Sequence, residues 1–300
     1  MSRFLLTQDP RHFPLRLIFD VRQKNTIMEP GTGLTILGTA IGSAKVLEKI
    51  LGPTADYLGG GIRSWTEQSV KNIANIFRAA QARLGEGIEN PGAVPPRVLK
   101  EVLSEGAFCD DPLAAEYFGG VLASSRSNVS RDDRGATWAS LVARLSAYQI
   151  RSHFLFYRAI YDRFRGQDFH FSMDDRQNMQ VLLPFSEYAR AMDLSMEERT
   201  QFPSILNHAF FGLKKEDLIE TFMYGNRDGL TKHRGSEYKW PEEGGILATP
   251  SALGCELFLW VHGHGSQPLS ATLKLELEIP NGIGICSTVY AKDDLSNAKK

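Results

Sequence analysis

The strongest helical pattern of the chain lies at residues 132–165, DDRGATWASLVARLSAYQIRSHFLFYRAIYDRFR. Its apolar side chains recur in alternating steps of three and four residues, and Ser152 is the single polar interruption. The seam consists of Trp138, Leu141, Leu145, Tyr148, Leu155 and Ala159. Such a heptad-like pattern, opened by an acidic pair, predicts one long central helix. The dense aromatic residues of its second half predict burial on several sides.

Four arginines recur every seven residues along this stretch. They are Arg144, Arg151, Arg158 and Arg165. Seven helical residues fall about 20° short of two turns, so on one helix they form a single, slowly drifting ridge. In one interpretation the guanidinium groups flank the seam and pair with carboxylates of a neighbouring helix. In the other they face outward and bind the phosphates of nucleic acid or of an anionic lipid surface.

A stretch without charge precedes this region at residues 30–44, PGTGLTILGTAIGSA. Its 15 residues are fewer than the roughly 17–25 that a membrane-spanning helix needs. Gly38 and Gly42 lie four residues apart, a spacing that lets helices approach closely. The segment is therefore a candidate for helix packing or for partial insertion into a membrane.

Several helix ends are marked by capping residues. Pro95-Pro96 predicts a helix start and Gly106 its end, and Asp111 with Pro112 predicts the N-cap and first turn of the next helix. Near the C-terminus, Thr249 and Pro250 predict the start of another helix, after a short strand at residues 245–248.

The last part of the chain predicts a β-hairpin. TLKLELEI at 272–279 alternates strictly, PNG follows as a turn, and GIGICSTVYA returns. FPLRLIFDV at 13–21 is a candidate third strand. One part of the chain follows the order of a winged helix: helical residues through Leu218, a loop over 225–245, the short strand and the helix after it. A winged helix that binds nucleic acid is therefore an alternative function.

These patterns predict a predominantly α-helical α+β fold, with a helical body and a small C-terminal α/β cap. We divide the chain into an N-terminal arm (1–32), a helical domain (33–172), a region of short helices and a loop (173–243), and a C-terminal helix with hairpin and polar tail (244–300).

Composition narrows the function classes. The 300 residues carry 34 Lys and Arg against 35 Asp and Glu, which disfavours a dedicated polycationic nucleic-acid binder. Three distant cysteines offer no disulfide framework, and the N-terminus lacks the shape of a signal peptide. We therefore expect a cytoplasmic protein, with peripheral membrane association left open.

Sequence motifs of catalysis are absent. The chain has no P-loop, dinucleotide fingerprint, H-E-x-x-H or G-x-S-x-G motif. His262 and His264 near Cys255 suggest zinc, but no fourth ligand can be named. A hydrolase would need a cleft that combines Asp110, Asp111 or His262 with further groups. We predict no catalytic residue, no metal and no cofactor, and we keep a hydrolase as the second alternative.

Three segments resemble the Abi-alpha family, bacterial helical proteins grouped with abortive infection. They are residues 49–77 (KILGPTADYLGGGIRSWTEQSVKNIANIF), residues 94–138 (from VPPRVLKEVLSEG to RGATW) and residues 248–265 (ATPSALGCELFLWVHGHG). The resemblance implies a non-enzymatic phage-defence protein that acts by binding, sensing infection or disrupting a membrane-bounded infection structure. It also implies a co-encoded partner protein, with an anionic membrane surface or a second copy of the chain as further candidate partners. The family supplies no catalytic residues.

Overall fold

A computed structural model describes residues 32–57, 66–129, 131–235 and 238–295. The predicted fold class is confirmed: helices dominate, and they are joined by one small antiparallel sheet. The candidate strand at 13–21 lies outside the described residues.

The elements follow one another in chain order. The first seven helices are α1 (Thr32–Ile41), α2 (Ala44–Leu51), α3 (Glu67–Leu84), α4 (Pro96–Gly106), α5 (Pro112–Ser124), α6 (Arg134–Arg144) and α7 (Ala147–Phe164). After them come α8 (Met173–Asn178), β1 (Val181–Pro184), α9 (Phe185–Ala191), α10 (Met196–Thr200), α11 (Phe202–Lys215) and β2 (Ile219–Gly225). The last elements are α12 (Arg227–Arg234), β3 (Gly245–Pro250), α13 (Ala252–Val261), β4 (Tyr290–Ala291) and α14 (Lys292–Leu295), and short 3₁₀ turns lie at Gly52–Tyr57, Gly85–Glu89 and Leu269–Ala271.

The predicted caps of α4 and α5 are confirmed. Helix α4 begins at Pro96 and ends at Gly106. The Asp111 side chain accepts a hydrogen bond from the Ala114 amide at 2.8 Å, and Pro112 occupies the first helical position. Both short-range signals act where the chain leaves a loop, so local chemistry decides the boundary.

The prediction of one helix over 132–165 is wrong, because the chain breaks it into α6 and α7. Leu145 is extended, with φ −82° and ψ 135°. Ser146 then caps α7: its hydroxyl accepts from the Gln149 amide, and the Gln149 side chain accepts from the Ser146 amide at 2.8 Å. This capping box satisfies two amides that a new helix would otherwise leave unpaired. Most side chains of α7 are buried, as its aromatic content predicts.

The four strands lie in the order β2-β3-β1-β4, and every neighbouring pair is antiparallel. Strand β3 continues through Thr249 and Pro250, so the predicted helix start there is wrong; Ser251 caps α13 instead. The helix predicted to continue through Leu218 ends at Lys215, and β2 follows it. The predicted loop at 225–245 contains α12. The predicted winged-helix order is thus interrupted by a strand after its first helix and by a helix within its loop, while the helix after β3 is present.

The predicted hairpin at 272–291 is wrong as well, because the segment at 273–277 contacts α7, and Tyr290–Ala291 pair with β1. Three alternate carbonyl oxygens of this segment accept hydrogen bonds, two from side chains of α7 and one from a backbone amide just after α7. The donors are the Gly166 amide to Leu273 at 3.1 Å, the Tyr161 hydroxyl to Leu275 at 2.7 Å, and Arg158 to Leu277 at 2.7 Å. A two-stranded hairpin is marginal alone, and these contacts satisfy the same acceptors against a buried helix.

Buried side chains from Leu37 to Ala291 form one hydrophobic cluster. A second cluster covers the other face of the sheet and includes Leu182, Leu247 and Trp240. Within the described residues, no helix combines the length and the apolar character that crossing a bilayer requires.

Candidate ligand-binding cleft

The four predicted arginines contact their own chain. Arg144 ends α6 and lies 3.0 Å from Glu216, and Arg151 of α7 donates to the Met192 carbonyl at 3.0 Å. The break at Leu145 separates Arg144 from the other three, so they do not form one continuous helical ridge.

The other two arginines lie beside the 273–277 segment. Arg158 donates to the Leu277 carbonyl and pairs with Asp162 at 2.7 Å. Arg165 follows α7 and lies 3.3 Å from Glu276. Neither carboxylate lies on a neighbouring helix, since Asp162 belongs to α7 itself and Glu276 to the 273–277 segment, so these contacts differ from the ones that the packing interpretation describes.

Gly38 and Gly42 lie in a tight connection between α1 and α2. A Cβ atom on Gly38 would come within 2.9 Å of the Ala44 Cα atom. Gly42 has φ +95°, a conformation that side chains other than glycine's rarely adopt. The structure thus places Gly38 at a close contact between α1 and α2, and Gly42 at the turn between these helices.

A cleft of about 390 Å³ opens where the C-terminal end of α13 meets α3, α7 and the segment after Leu275. Its lining consists of Ala82, Arg83, Tyr161, Arg165, His262, His264, Glu276, Leu277 and Glu278. We call it the His262 cleft. It brings together two of the predicted residues, Arg165 and His262, from distant parts of the sequence.

His262 lies at the end of α13 and is only 5% exposed. Its Nδ1 atom lies 2.7 Å from the carbonyl oxygen of Phe258. A carbonyl oxygen only accepts, so Nδ1 carries the proton and Nε2 presents a lone pair. That Nε2 atom is buried and has no hydrogen-bond partner among the residues that the structure describes.

The environment of His262 keeps its ring neutral. Burial lowers the pKa of His262 from its usual 6.5 to about 3, and the positive charges of Arg83 and Arg158 act in the same direction. Burial, with Arg83, also lowers the pKa of His264. The inner part of the cleft therefore holds uncharged imidazoles, and the charged residues of the lining are Arg83 and Arg165 with Glu276 and Glu278.

Two ion pairs of unequal exposure border the cleft. The Arg83 side chain is 10% exposed and lies 3.0 Å from Glu116 of α5. By contrast, the Arg165 side chain is 54% exposed and its partner Glu276 is 91% exposed. Exposed pairs contribute about 0–1 kcal/mol, so Arg165 can exchange Glu276 for another anion at little cost.

The acidic residues of the hydrolase alternative are not brought to His262. Asp110 accepts from Asn72 at 2.9 Å, Asp111 caps α5, and these two line another cavity. Among the described residues, no group of three or more His, Cys, Asp or Glu side chains is placed to hold a metal ion. The Cys255 thiol lies 3.3 Å from the Thr272 hydroxyl.

Sequence reasoning missed Arg83 and Tyr161 as members of this site. No sequence motif marks Arg83, which is one basic residue in the last turn of α3. Tyr161 is one of many aromatic residues in α7, and its sequence position does not distinguish it from the others. Only the packing of α3, α7 and α13 brings them together. Comparison with protein-family models, with curated proteins and with solved structures finds no match.

Proposed function

We propose that this protein is a non-enzymatic component of phage defence that acts by binding a small polar ligand in the His262 cleft. The resemblance to the Abi-alpha family supports the biological role. One observation supports the mode of action: a buried, neutral imidazole offers an unpartnered acceptor in a cleft that also contains two arginines.

The energetics of an unpartnered acceptor favour this proposal. A buried polar atom without a hydrogen bond destabilises the folded protein by about 1–3 kcal/mol. A ligand that donates to Nε2 of His262 removes this cost, so the cost becomes part of the binding free energy. Buried groups of this kind in folded proteins call for an explanation, and a ligand supplies one.

Protection of a phage-sensitive bacterial host tests the proposal. We expect Arg165→Glu to abolish protection, because it reverses the charge at the mouth of the cleft. The matched control is Arg144→Glu, since Arg144 is also half exposed and also pairs with one glutamate, Glu216, outside the cleft. Each exposed pair contributes about 0–1 kcal/mol, so both variants should fold. Equal protection by the two variants would reject the cleft as the working site.

A second candidate function is the binding of single-stranded nucleic acid. Phe211 is 59% exposed, and its ring centroid lies 5.1 Å from that of Phe222 in the edge strand β2. The Phe222 ring in turn stacks on the Tyr224 ring, with 6.3 Å between the two centroids. Exposed aromatic rings on a sheet are platforms on which bases stack. Salt-sensitive binding of labelled oligothymidine would support this candidate if Phe211→Ala weakens it and Phe108→Ala does not. Phe108 is the matched control because it is an exposed phenylalanine outside this surface.

A further inference from the structure

We infer that the ligand of the His262 cleft is a small anion that also carries a hydroxyl or amino donor, as a phosphorylated sugar or nucleoside does. The inference rests on the proposed function, because it specifies the chemistry of the same cleft. Two independent contacts define the two parts of the ligand.

The donor part follows from His262. Its Nδ1 proton is engaged by the Phe258 carbonyl, so the ring offers only an acceptor at Nε2. A ligand acceptor, such as a phosphate oxygen without a proton, cannot bond to it. A hydroxyl or amino group can donate to this buried atom once the side chains that cover it move aside, and this contact distinguishes a sugar phosphate from an anion without a proton, such as sulfate.

The anionic part follows from Arg83 and Arg165. Arg83 is nearly buried, and its guanidinium is held in place by Glu116 and by the Val261 carbonyl. Arg165 has an exposed partner, Glu276, at 3.3 Å. Guanidinium groups bind phosphate and carboxylate with two parallel hydrogen bonds, so a ligand anion can displace the Glu276 carboxylate from Arg165.

The size of the cleft suits a ligand of this class. Its volume of about 390 Å³ lies within the roughly 300–1,000 Å³ typical of small-molecule sites. The wall formed by Leu277 is fixed by the hydrogen bond from Arg158. The cleft therefore keeps its shape from α7, while Arg165 and Glu276 at its mouth can rearrange.

Calorimetric titration of the full chain with ribose 5-phosphate, ribose and sulfate tests the inference, because sulfate is an anion without a proton to donate at neutral pH. We expect ribose 5-phosphate to bind most tightly. Arg165→Gln should weaken its binding about tenfold or more, because a charged hydrogen bond is lost. Glu276→Gln should tighten it, because the competing carboxylate is gone. The matched controls Arg144→Gln and Glu216→Gln should bind as the parent protein does.

His262→Phe separates the two parts of the ligand. It keeps a ring of similar shape between Phe154 and Phe258 but removes the acceptor. We expect its affinity for ribose 5-phosphate to fall to that for sulfate, with sulfate binding unchanged. If this variant fails to fold, the exposed Arg165 and Glu276 variants still decide the question.

Three outcomes would overturn the inference: no binding of ribose 5-phosphate, equal binding of ribose, or equal weakening by the Arg144 and Arg165 variants. Failure of this inference can be told apart from failure of the proposed function. If none of the probes binds but Arg165→Glu alone loses phage protection, the ligand class is wrong and the proposed function stands. If ribose 5-phosphate binds and protection is indifferent to Arg165, the proposed function fails and the inference stands.

Discussion

Arg158 donates a hydrogen bond from Nη1 to the carbonyl oxygen of Leu277 at 2.7 Å. This bond fixes the wall of the His262 cleft to the central helix α7. The same guanidinium pairs with Asp162 and lies over the Tyr161 ring, 4.9 Å from its centroid. One interpretation of the sequence has Arg158 facing outward to bind an external anion. In the structure Arg158 instead holds a wall of the cleft in place.

Arg158→Met tests this role. The variant keeps most of the apolar side chain but loses the bonds to Leu277 and Asp162, so we expect a loss of about 1–3 kcal/mol in the free energy of unfolding. Urea denaturation measures it, and hydrogen exchange at residues 273–277 should quicken. Arg144→Met should cost at most about 1 kcal/mol, because its ion pair with Glu216 is exposed. Equal losses in both variants would contradict the role of Arg158 as a tether.

Gly120 makes the closest approach between α5 and α13. A Cβ atom there would lie 1.9 Å from the carbonyl oxygen of Val261, the residue before His262. We expect Gly120→Ala to destabilise the protein by about 1–3 kcal/mol, because a backbone atom must move. Thermal unfolding measures this loss.

Gly87→Ala is the control for Gly120→Ala. The nearest atom to a Cβ on Gly87 is 3.9 Å away, so the unfolding temperature should stay nearly unchanged. Similar unfolding temperatures for both variants would show that α5 and α13 lie farther apart than described here.

The sequence allowed some helix boundaries to be predicted because their chemistry is local. Asp111 and Pro112 act within one turn, and the structure has α5 begin there. The break before α7 also had a local signal, Ser146 with Gln149 three residues later, but the apolar seam continues across it and favoured one helix.

The hairpin and the cleft could not be predicted in this way. The alternating leucines at 273–277 predict a strand, yet Lys274 and Leu275 turn back to Ala271. The partners of the segment, Tyr161 and Arg158, lie more than a hundred residues earlier. The cleft likewise depends on a contact between distant parts of the chain, since Arg83 donates to the carbonyl oxygen of Val261, 178 residues later. Such placement follows from packing and leaves no local pattern.

Ser146→Ala tests the break between α6 and α7. It removes the hydroxyl that accepts from the Gln149 amide, and loss of an N-cap costs about 0.5–2 kcal/mol. We expect this decrease in unfolding free energy from urea denaturation. Ser146→Asp should retain the stability, because a carboxylate also caps a helix and favours its N-terminus. An unchanged stability of Ser146→Ala would mean that the cap does not determine the break.

Two buried histidines make the fold sensitive to mild acid. His153 of α7 donates from Nε2 to the Gly254 carbonyl at 3.0 Å, so its Nδ1 accepts from the Tyr117 hydroxyl at 2.7 Å. Burial lowers the pKa of His153 to about 3, as it does for His262. In the unfolded chain both titrate near 6.5, so between pH 6.5 and 3 the unfolded state binds more protons than the folded state.

Stability must therefore fall as the pH decreases through this window. Each histidine contributes a slope that approaches about 1.4 kcal/mol per pH unit below pH 6.5. Urea denaturation between pH 7.5 and 5 isolates this effect, since carboxylates remain ionised there. His262→Gln, whose amide can still donate to Phe258, should lose the part of the pH dependence that belongs to His262 and keep the parts that belong to His153 and to His264, whose pKa is also lowered. A slope identical to that of the parent protein would show that the His262 ring protonates as easily in the folded state as in the unfolded one, and the neutral acceptor on which the cleft depends would then be absent.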